Sequence, residues 1–456
     1  MQIVSLNCRL RVKNMKAVSA VFPLLLSALL FISVDLTAAD FGPTVSYART
    51  QSRAATVDSI DAAYYNPAGL MRLKDGFHMD AGYQIMTKTA AYDMAFTGGE
   101  DTAMSWFIPN FAAVYHRDKG AVFLSLHMPE GIEFTEYRKP YGGMPLVSYF
   151  ALDLDPLQMA ALRSVGLTEN LGGLELPVIS YIKASRYWLQ GRLGGSFALS
   201  EMIAFTGGIA CSYYRADRSA GVFKGGTVDK LEKKAVGWSG FAGLLAGPAD
   251  RFVVSVLYAT QTVARGTEKN VKYYYTRIME RRLPDSLIIG LNFKTADKAS
   301  IQLSYQVDFT AERNYGTKNI LARDHEFGFM DWAFIAQNAS ALAILPLISS
   351  GNTQNYKHKN RHSIGLGLEF GIGGFVPSVG FSCTTQEKYP RAQNPLDPDL
   401  IRIGFGTGMK ASASESIIIE TGSAYYFYVT DRMLFNSIKM NRTAWTWGIN
   451  VTYKVL

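Results

Sequence analysis

His116 and Ser125 are the two residues whose types best suit nucleophilic catalysis, because a serine nucleophile needs a histidine base within hydrogen-bond reach. They fall on neighbouring predicted strands. No residue in the pattern is placed to orient the histidine, and an isolated serine and histidine rarely belong to a triad. We therefore predict no catalytic residues and keep hydrolysis only as an alternative.

Metal and cofactor chemistry have equally little support. The histidines lack the short spacings of a metal site and are scattered at positions 78, 116, 127, 325, 358 and 362. Two glycine-rich strings, GLGLEFG from Gly365 and GFGTG from Gly404, do not fit the G-x-G-x-x-G spacing of a phosphate-binding loop. We interpret them as strand glycines that face the interior, and we predict neither a metal nor a cofactor.

The composition indicates a protein with a face that does not meet water. Of the 456 residues, 48% are hydrophobic and 18% are charged, and there are 25 tyrosines and 26 phenylalanines. These proportions are unusual for a soluble enzyme. The mean hydropathy of +0.03 is nevertheless too low for a bundle of membrane helices, each of which needs about 20 mostly apolar residues.

One long apolar run, Ala17–Val34, predicts a cleaved secretory signal peptide over residues 1–39. The small residues of Thr37–Ala39 suit a cleavage site. An N-terminal membrane anchor is the alternative, which Pro23 disfavours, and Met15 is an alternative start. The basic residues that precede the run are Arg9, Arg11, Lys13 and Lys16.

The charge of the mature chain is modest. Removal of residues 1–39 lowers the formal net charge from +8 to +5, because four basic residues and one acidic residue are lost. No block of more than two Lys or Arg residues remains, so the sequence predicts no nucleic-acid binding. Cys211 and Cys383 are predicted to be unpaired strand residues, since nothing in the sequence places them together.

A period of two dominates the chain from Gly76 onward. In Ser300–Thr310 the odd positions are apolar and the even positions are polar, and Trp445–Val455 shows the same alternation. One face of each predicted strand is therefore apolar and the other is polar. Alternation alone also fits a soluble β-sandwich.

The lengths of the connections distinguish a barrel from a sandwich. Short connections, such as Asp118 and Ala296–Lys298, alternate with the predicted long connections 129–182, 265–284, 312–360 and 386–399. This arrangement is typical of outer-membrane barrels, which close on themselves because hydrocarbon offers backbone groups no hydrogen-bond partner. We predict a transmembrane antiparallel β-barrel over residues 76–456. Its fourteen predicted strands are 76–88, 108–117, 119–128, 183–198, 202–217, 234–246, 251–264, 285–295, 299–311, 361–371, 375–384, 400–411, 415–428 and 441–455.

Residues 40–75 do not continue the alternation, and they lead directly into the first predicted strand. A fourteen-stranded barrel encloses a lumen wide enough to leak or to need filling. We predict that residues 40–75 form a plug, or hatch, inside the barrel.

The stretch DAAYYNPAGLMRL, residues 61–73, resembles the hatch signature of the FadL (OMPP1/TodX) family of outer-membrane transporters for long-chain fatty acids and hydrocarbons. Asn66, Pro67 and Ala68 match the Asn-Pro-Ala motif of that family. Three further blocks are similar in the same order, at residues 107–134, 283–309 and 394–417. The resemblance spans the mature chain.

This resemblance implies a fourteen-stranded barrel with an N-terminal hatch that gates passive uptake. A hydrophobic ligand is captured by extracellular loops, passes an apolar pocket and leaves sideways through the wall. The expected partners are a long-chain fatty acid or another hydrophobic ligand, outer-membrane lipid and the barrel-insertion machinery. A self-plugged barrel with a lateral exit can work as a monomer, which is the expected state, although the sequence leaves the oligomeric state open. The candidates for a cation that holds a carboxylate, none of them favoured by the sequence, are Arg192, Arg215, Arg265 and Lys272.

Two predicted loops contain apolar stretches, for which two roles are considered. PLQMAALRSVGL, residues 156–167, is a short helix candidate, and FMDWAFIAQNASALAILPLI, residues 329–348, is too apolar for a solvated connection. A capture surface and a lid over the barrel mouth both remain open. The main alternatives to hydrophobic transport are a general porin for polar solutes and a surface adhesin on the same barrel.

Overall fold

The computed structural model describes the barrel wall and most of the segment before it. The predicted signal peptide, residues 1–39, lies outside the described residues and stays a prediction. The same holds for the two apolar loop stretches, 156–167 and 329–348. The described residues are 42, 44–57, 59–94, 97–129, 132–137, 168–171, 174–177, 181–221, 227–248, 250–270, 275–295, 299–311, 359–386, 400–433 and 438–455.

Fourteen antiparallel strands, here β1 to β14, form one closed sheet, which confirms the predicted barrel. The first strand pairs with both the second and the last, so the sheet has no free edge. Three strands are interrupted and consist of two segments each. The strands are β1 Gly76–Met94, β2 Thr97–Arg117, β3 Gly120–His127 with Ile132–Tyr137, β4 Tyr181–Ala198, β5 Ile203–Gly221, β6 Thr227–Ala246, β7 Phe252–Ala259 with Thr262–Asn270, β8 Tyr275–Leu283 with Ser286–Thr295, β9 Ala299–Asp308, β10 Arg361–Phe370, β11 Phe375–Thr384, β12 Arg402–Ser412, β13 Ile417–Met433 and β14 Ile438–Val455.

The predicted alternation corresponds to the two faces of the wall. On β9, Ile301 and Leu303 are exposed on the outside, whereas Gln302 between them is buried on the inside. On β14, Trp447 is exposed and Asn450 is buried. An outer apolar band with polar residues inside is the arrangement that a barrel in lipid requires. No helix in the described residues has the length and apolar character needed to cross a membrane.

Tight turns join the strands at one end of the barrel, here called the short-turn end. Asp118 between β2 and β3 has φ 53, Gly247 after β6 has φ 111 and Gly373 between β10 and β11 has φ 63. Such left-handed conformations favour glycine and, less strongly, aspartate. The opposite end, here called the long-connection end, carries the connections that include residues 138–180 and 312–358.

Several strands extend further toward the long-connection end than the sequence predicts. β2 begins at Thr97 rather than 108, β6 at Thr227 rather than 234, and β8 at Tyr275 rather than 285. The predicted long connection 265–284 is therefore wrong, because most of it is strand. The sequences of these extensions, such as TGGEDTAMSWF at residues 97–107, lack the hydrophobic alternation that marks the membrane-spanning part.

Residues 44–73, here called the inner segment, lie against the inner face of the wall. They form helix α1 (Val45–Thr50), helix α2 (Ala62–Tyr65) and a 3-10 helix (Pro67–Arg72). Helix α1 contacts β1 and β10–β14, and the 3-10 helix contacts β2–β6. Between them, the carbonyls of Ala54 and Ala55 accept hydrogen bonds from side chains on β7 and β8. The inner segment thus touches strands all around the barrel.

Candidate functional site

Helix α1 is fixed at both ends. At its start, the Thr44 hydroxyl accepts a hydrogen bond of 3.2 Å from the backbone N–H of Tyr47, a normal N-cap. At its end, Gln51 takes a left-handed conformation with φ 55. The Gln51 side chain then donates to the Tyr426 hydroxyl at 3.1 Å and accepts from the Ser382 hydroxyl at 2.7 Å. These bonds attach the end of α1 to β13 and β11.

Inward-facing glycines allow the backbone of the inner segment to approach the wall. A Cβ atom at Gly380 would lie 2.2 Å from the Thr50 carbonyl oxygen, and one at Gly406 would lie 2.3 Å from the Ala48 carbonyl oxygen. Such distances do not occur for real Cβ atoms, so any larger residue would displace α1. The prediction that the glycines of GLGLEFG and GFGTG face the interior is confirmed for Gly365, Gly367, Gly404, Gly406 and Gly408, whereas Gly371 lies beyond the end of β10. Further glycines with atoms of the inner segment closer than 3.0 Å to their ideal Cβ are Gly290, Gly365, Gly367, Gly408, Gly422 and Gly448.

A buried network of charges ties the inner segment to the wall. Arg49 lies 2.6 Å from Glu369 and 3.6 Å from Glu420, measured between nitrogen and oxygen atoms. Arg53 forms two hydrogen bonds with Asp61, at 2.8 and 2.9 Å, and lies 3.4 Å from Glu369. Both arginine side chains are 0% exposed. The network therefore joins two cations of the inner segment to one anion on β10 and one on β13.

The two neighbouring carboxylates keep the Arg49 guanidinium charged. Burial lowers the pKa of the Arg49 guanidinium, but Glu369 and Glu420 raise it by more, so its pKa lies above the ordinary value. Ser46 donates a hydrogen bond to Glu420, and Gln302 donates one to Glu369. The carboxylates thus receive neutral donors as well as cations, as buried carboxylates require.

The Asn-Pro-Ala motif forms the turn between α2 and the 3-10 helix. The Asn66 side chain donates to the Thr56 carbonyl oxygen at 3.3 Å, which closes the loop before α2. Pro67 occupies the first position of the 3-10 helix, where its fixed φ is favourable. Its carbonyl oxygen accepts a hydrogen bond of 2.7 Å from Ser196 on β4, and Ala68 is fully buried. The motif thus fixes a turn against the wall, and its role in gating stays a prediction.

The second half of the inner segment packs through apolar side chains near the short-turn end. Arg72 donates hydrogen bonds to the carbonyl oxygens of Glu201 and Gly247, the latter at 3.0 Å. Both acceptors lie in short turns, so Arg72 holds the 3-10 helix at this end of the barrel. The apolar cluster includes Ile60, Ala63, Leu70, Phe123, Phe241 and Leu245.

The wall is irregular next to α2. His127 of β3 pairs with Gln190 of β4, whereas Ile132 pairs with Tyr187, so β3 contains two more residues than β4 over this span. Such an insertion bends a strand and interrupts its hydrogen bonds. The ring of Tyr64 packs edge-on against the His127 ring, with 5.3 Å between centroids. The inner segment therefore contacts the end of the first part of β3.

A second group of residues combines apolar surface with positive charge inside the wall. The Arg402 guanidinium lies 5.3 Å from the centre of the Tyr426 ring, and that of Arg442 lies 4.7 Å from the Tyr428 ring. These are cation–π distances. Sequence reasoning missed both pairs, because their partners lie on neighbouring strands without any motif. Their apolar neighbours are Ala48, Met86, Ile108, Leu400, Ala424 and Ala444.

Comparisons with known proteins agree on the fold. No protein-family model and no curated protein sequence matches the chain. The Pseudomonas putida toluene transporter TodX is 12% identical, with a TM-score of 0.59 and coverage of 92% of this chain and 100% of that chain. The Ralstonia pickettii toluene transporter TbuX (13% identity, TM-score 0.57) and a Pseudomonas aeruginosa FadL homologue (11%, 0.59) each match over 92% of this chain and 99% of their own. The chain has the FadL/TodX barrel fold.

Three of the four candidate cations lie in the described residues of this FadL-type barrel, and they do not share one face of the wall. Arg192 faces inward and donates a hydrogen bond of 2.8 Å to the Tyr64 carbonyl oxygen. Arg215 and Arg265, two further candidates for a cation that holds a carboxylate, point outward and pair with neighbouring acids, so neither lies inside the barrel. Lys272 lies outside the described residues.

The alternative catalytic pair is not assembled in the FadL-type barrel. Ser125 lies opposite Ala112 on β2, four residues from His116, which corresponds to about 13 Å along a strand. His116 instead lies 3.1 Å from Asp75. Cys211 on β5 and Cys383 on β11 are free thiols. Among the described residues, no group of three His, Cys, Asp or Glu side chains is arranged to hold a metal ion.

Proposed function

We propose that this chain is an outer-membrane transporter for the passive uptake of long-chain fatty acids or similar hydrophobic molecules. The observation that carries the proposal is the inner segment, which contacts β1–β8 and β10–β14 inside an apolar-belted barrel. A porin for polar solutes needs an open, hydrated constriction. The described interior instead holds a packed segment.

A plugged barrel suits a hydrophobic substrate. An acyl chain or aromatic ring that crossed a water-filled pore would lose its hydrophobic stabilisation, about 0.8 kcal/mol for each methylene. In the proposed route, the extracellular loops capture the molecule and pass it to the apolar residues around Tyr426 and Tyr428. The inner segment then shifts, and the molecule leaves through the wall. Diffusion down a gradient supplies the driving force.

Arg402 and Arg442 are the proposed partners of a fatty-acid carboxylate. Both lie beside the apolar cluster and stack on the faces of tyrosine rings, which holds each guanidinium in a fixed orientation. A planar guanidinium matches the geometry of a carboxylate. The acyl chain would then lie along Met86, Ile108 and Ala444.

The interruption in β3 is the proposed exit. The extra residues between His127 and Ile132 break the ladder to β4. Tyr64 of α2 packs against His127, and two residues later begins the Asn66–Ala68 turn. Movement of this turn would therefore withdraw Tyr64 from the interrupted part of the wall. This connection is the proposed basis of gating.

Monoaromatic hydrocarbons are the second candidate substrate class. Two of the similar structures are toluene transporters, TodX and TbuX. Toluene has no carboxylate, so it would use the apolar cluster without the two arginines. The substrate class is decided by whether Arg402 and Arg442 affect uptake.

The proposal is tested by uptake of radiolabelled oleate into a transport-deficient bacterial host that carries the protein. The wild type is compared with an Asn66→Ala, Pro67→Ala double variant at equal outer-membrane abundance. We expect saturable uptake by the wild type and a loss of about ten-fold in the variant. A ten-fold loss corresponds to about 1.4 kcal/mol of free energy. This is the size expected from the loss of one hydrogen bond and of the conformational restriction by one proline.

Passage of small sugars without oleate or toluene uptake would replace the proposal with a polar pore. Adhesion without uptake of either class would indicate a surface adhesin instead. Equal oleate uptake by the wild type and the double variant would retain transport but remove the gating role of the turn.

A further inference from the structure

The outer face of the barrel carries a cluster of charges on β5–β8 near the long-connection end. We call this cluster the rim patch. It contains six basic and three acidic side chains, so its formal charge is positive. Its members are Arg215, Asp217, Lys230, Glu232, Lys234, Arg265, Lys269, Glu280 and Arg282.

The strand register places these side chains side by side on one face. Arg265 of β7 lies opposite Glu280 of β8, and Lys269 lies opposite Glu232 of β6. Arg215 of β5 lies opposite Lys234 of β6. Directly opposite residues in an antiparallel sheet have Cβ atoms about 5 Å apart. The rim patch is therefore continuous across four strands.

The acidic members orient some of the basic side chains. Arg215 lies 2.7 Å from Asp217, Lys230 lies 3.0 Å from Glu232, and Arg265 lies 3.3 Å from Glu280. Arg265 nevertheless has 77% of its side chain exposed. Three carboxylates cannot neutralise six cations, so the rim patch keeps a positive formal charge.

The rim patch begins where the apolar belt ends. On β6, the outward residues Trp238 and Val236 are exposed, and the next outward residue is Lys234. On β5, the outward Ile209 and Tyr213 precede Arg215 in the same way. The change from aromatic and aliphatic to basic side chains marks the level of lipid headgroups.

On the opposite wall, β13 carries apolar rather than basic side chains at the height of the rim patch. Arg215 is twelve residues beyond Ile203, the first residue of β5, and Val429 is twelve residues beyond Ile417, the first residue of β13. Val429 is exposed, as is Tyr425 below it. At this height β13 therefore presents exposed apolar side chains, whereas β5 presents Arg215.

We propose that the rim patch binds the phosphate groups of a phosphorylated glycolipid in the outer leaflet. This inference rests on the outer-membrane placement in the proposed function. Arg and Lys side chains are strong donors to phosphate, and Arg binds it in a bidentate manner. The level at the end of the apolar belt is where the phosphorylated sugars of such a lipid lie when its acyl chains cover that belt.

The apolar surface beside the patch selects a lipid over free phosphate. Trp238 is 63% exposed two outward positions below Lys234, and Ile278 is 87% exposed between the basic residues of β7 and β8. A free anion would gain nothing from these side chains. A glycolipid buries them with its sugar and acyl groups while its phosphates meet the cations.

The test measures binding of bisphosphorylated lipid A to the purified full chain in detergent micelles by native mass spectrometry. Dephosphorylated lipid A and excess inorganic phosphate are the comparison probes. The variant is Lys234→Gln, Arg265→Gln, Lys269→Gln. A matched control removes three exposed charges at the short-turn end, by Arg117→Gln, Lys119→Gln, Arg251→Gln.

We expect the wild type and the control to bind bisphosphorylated lipid A equally, and the rim variant to bind it roughly ten- to hundred-fold more weakly. Removal of the lipid phosphates should cause a similar loss in the wild type. Equal binding by the rim variant and the wild type would overturn the inference. Displacement of the lipid by inorganic phosphate at comparable concentration would also overturn it, because the site would then recognise a free anion.

Oleate uptake by the same variants separates this inference from the proposed function. The rim variant should take up oleate like the wild type, since its substitutions face outward. Lipid binding without oleate or toluene uptake by the wild type would refute hydrophobic transport and leave the rim patch in place. Oleate uptake without phosphate-dependent lipid binding would support transport and refute the lipid site at the rim patch.

Discussion

Arg49 and Arg53 show how single residues hold the inner segment in a polar interior. A buried ion pair adds little net stability, because desolvation offsets the attraction, but removal of one partner leaves an uncompensated charge. The two arginines share Glu369, which is 7% exposed. The network therefore fixes the position of the inner segment, because any other position would leave a buried charge without its partner.

Substitution of Arg49 tests this network. Arg49→Ala leaves Glu420 and Glu369 buried without their closest cation, and we expect the seated inner segment to lose about 3–5 kcal/mol. Limited proteolysis of the inner segment, titrated with urea, should show cleavage at lower urea than in the wild type. Arg117→Ala is the control, because its pair with Asp118 is exposed. An unchanged urea midpoint for Arg49→Ala would contradict the role of the network.

A glycine substitution tests the close approach of α1. Gly380→Ala would place Cβ 2.2 Å from the Thr50 carbonyl group, so α1 must move, at a cost of about 1–3 kcal/mol. Hydrogen–deuterium exchange of Val45–Gln51 should become faster while the barrel strands stay protected. Gly240→Ala is the matched strand control, since its nearest neighbour would be 3.8 Å away. Similar exchange in both variants would refute the tight fit.

The two stacked arginines test the substrate class. We expect Arg402→Ala, Arg442→Ala to raise the half-saturation concentration for oleate about ten-fold, because charge-assisted hydrogen bonds to the carboxylate are lost. Toluene uptake by the same variant should be unchanged, since toluene has no charge to hold. Parallel losses for oleate and toluene would assign the arginines a structural role instead.

At the residue scale, the sequence predicted local features but not long-range partners. Asn66–Ala68 and the interior-facing glycines are local patterns with a local cause, and they could be recognised directly. Glu369 is 316 positions from Arg53 in the chain, and neither residue stands in a motif. Arg402 and Tyr426 likewise meet only through the register of β12 and β13. Such partners need the barrel before they can be identified.

At the scale of the strands, prediction succeeded where membrane and lumen impose different polarity. The short-turn ends of β9, β10 and β11 were predicted within one residue. Residues 97–107, TGGEDTAMSWF, lack a clean alternation, so the first half of β2 was missed. The interruptions in β3, β7 and β8 gave no periodic signal either, because an interrupted strand resumes with its inward and outward positions exchanged or shifted.

The interruption in β3 provides a test of the exit. Deletion of Pro129 and Glu130 removes the two residues by which β3 exceeds β4 between His127 and Ile132. The expected variant is a heat-modifiable, folded barrel with a continuous β3 and at least about ten-fold less oleate uptake, because the wall no longer opens. Deletion of two residues from the connection 434–437 is the control. Undiminished uptake in the Pro129–Glu130 deletion variant would place the exit elsewhere.

At the scale of the whole molecule, a closed, apolar-belted wall surrounds an inner segment that contacts β1–β8 and β10–β14. The wall explains residence in a membrane, since every strand has two hydrogen-bonded neighbours. In the proposed function, the inner segment makes the barrel selective, because it blocks polar solutes while apolar ones gain contacts with the interior. The fold alone is shared with the toluene transporters TodX and TbuX, so the substrate must be established by transport.

Hydrophobic transport through a closed lumen is tested by a paired measurement on proteoliposomes that contain the purified protein. Saturable oleate transfer and liposome swelling in small sugars are followed in the same preparation. We expect oleate transfer without sugar-dependent swelling, because the inner segment closes the lumen to water-borne solutes. Sugar-dependent swelling without oleate transfer would contradict it and would show that the barrel is a pore for polar molecules.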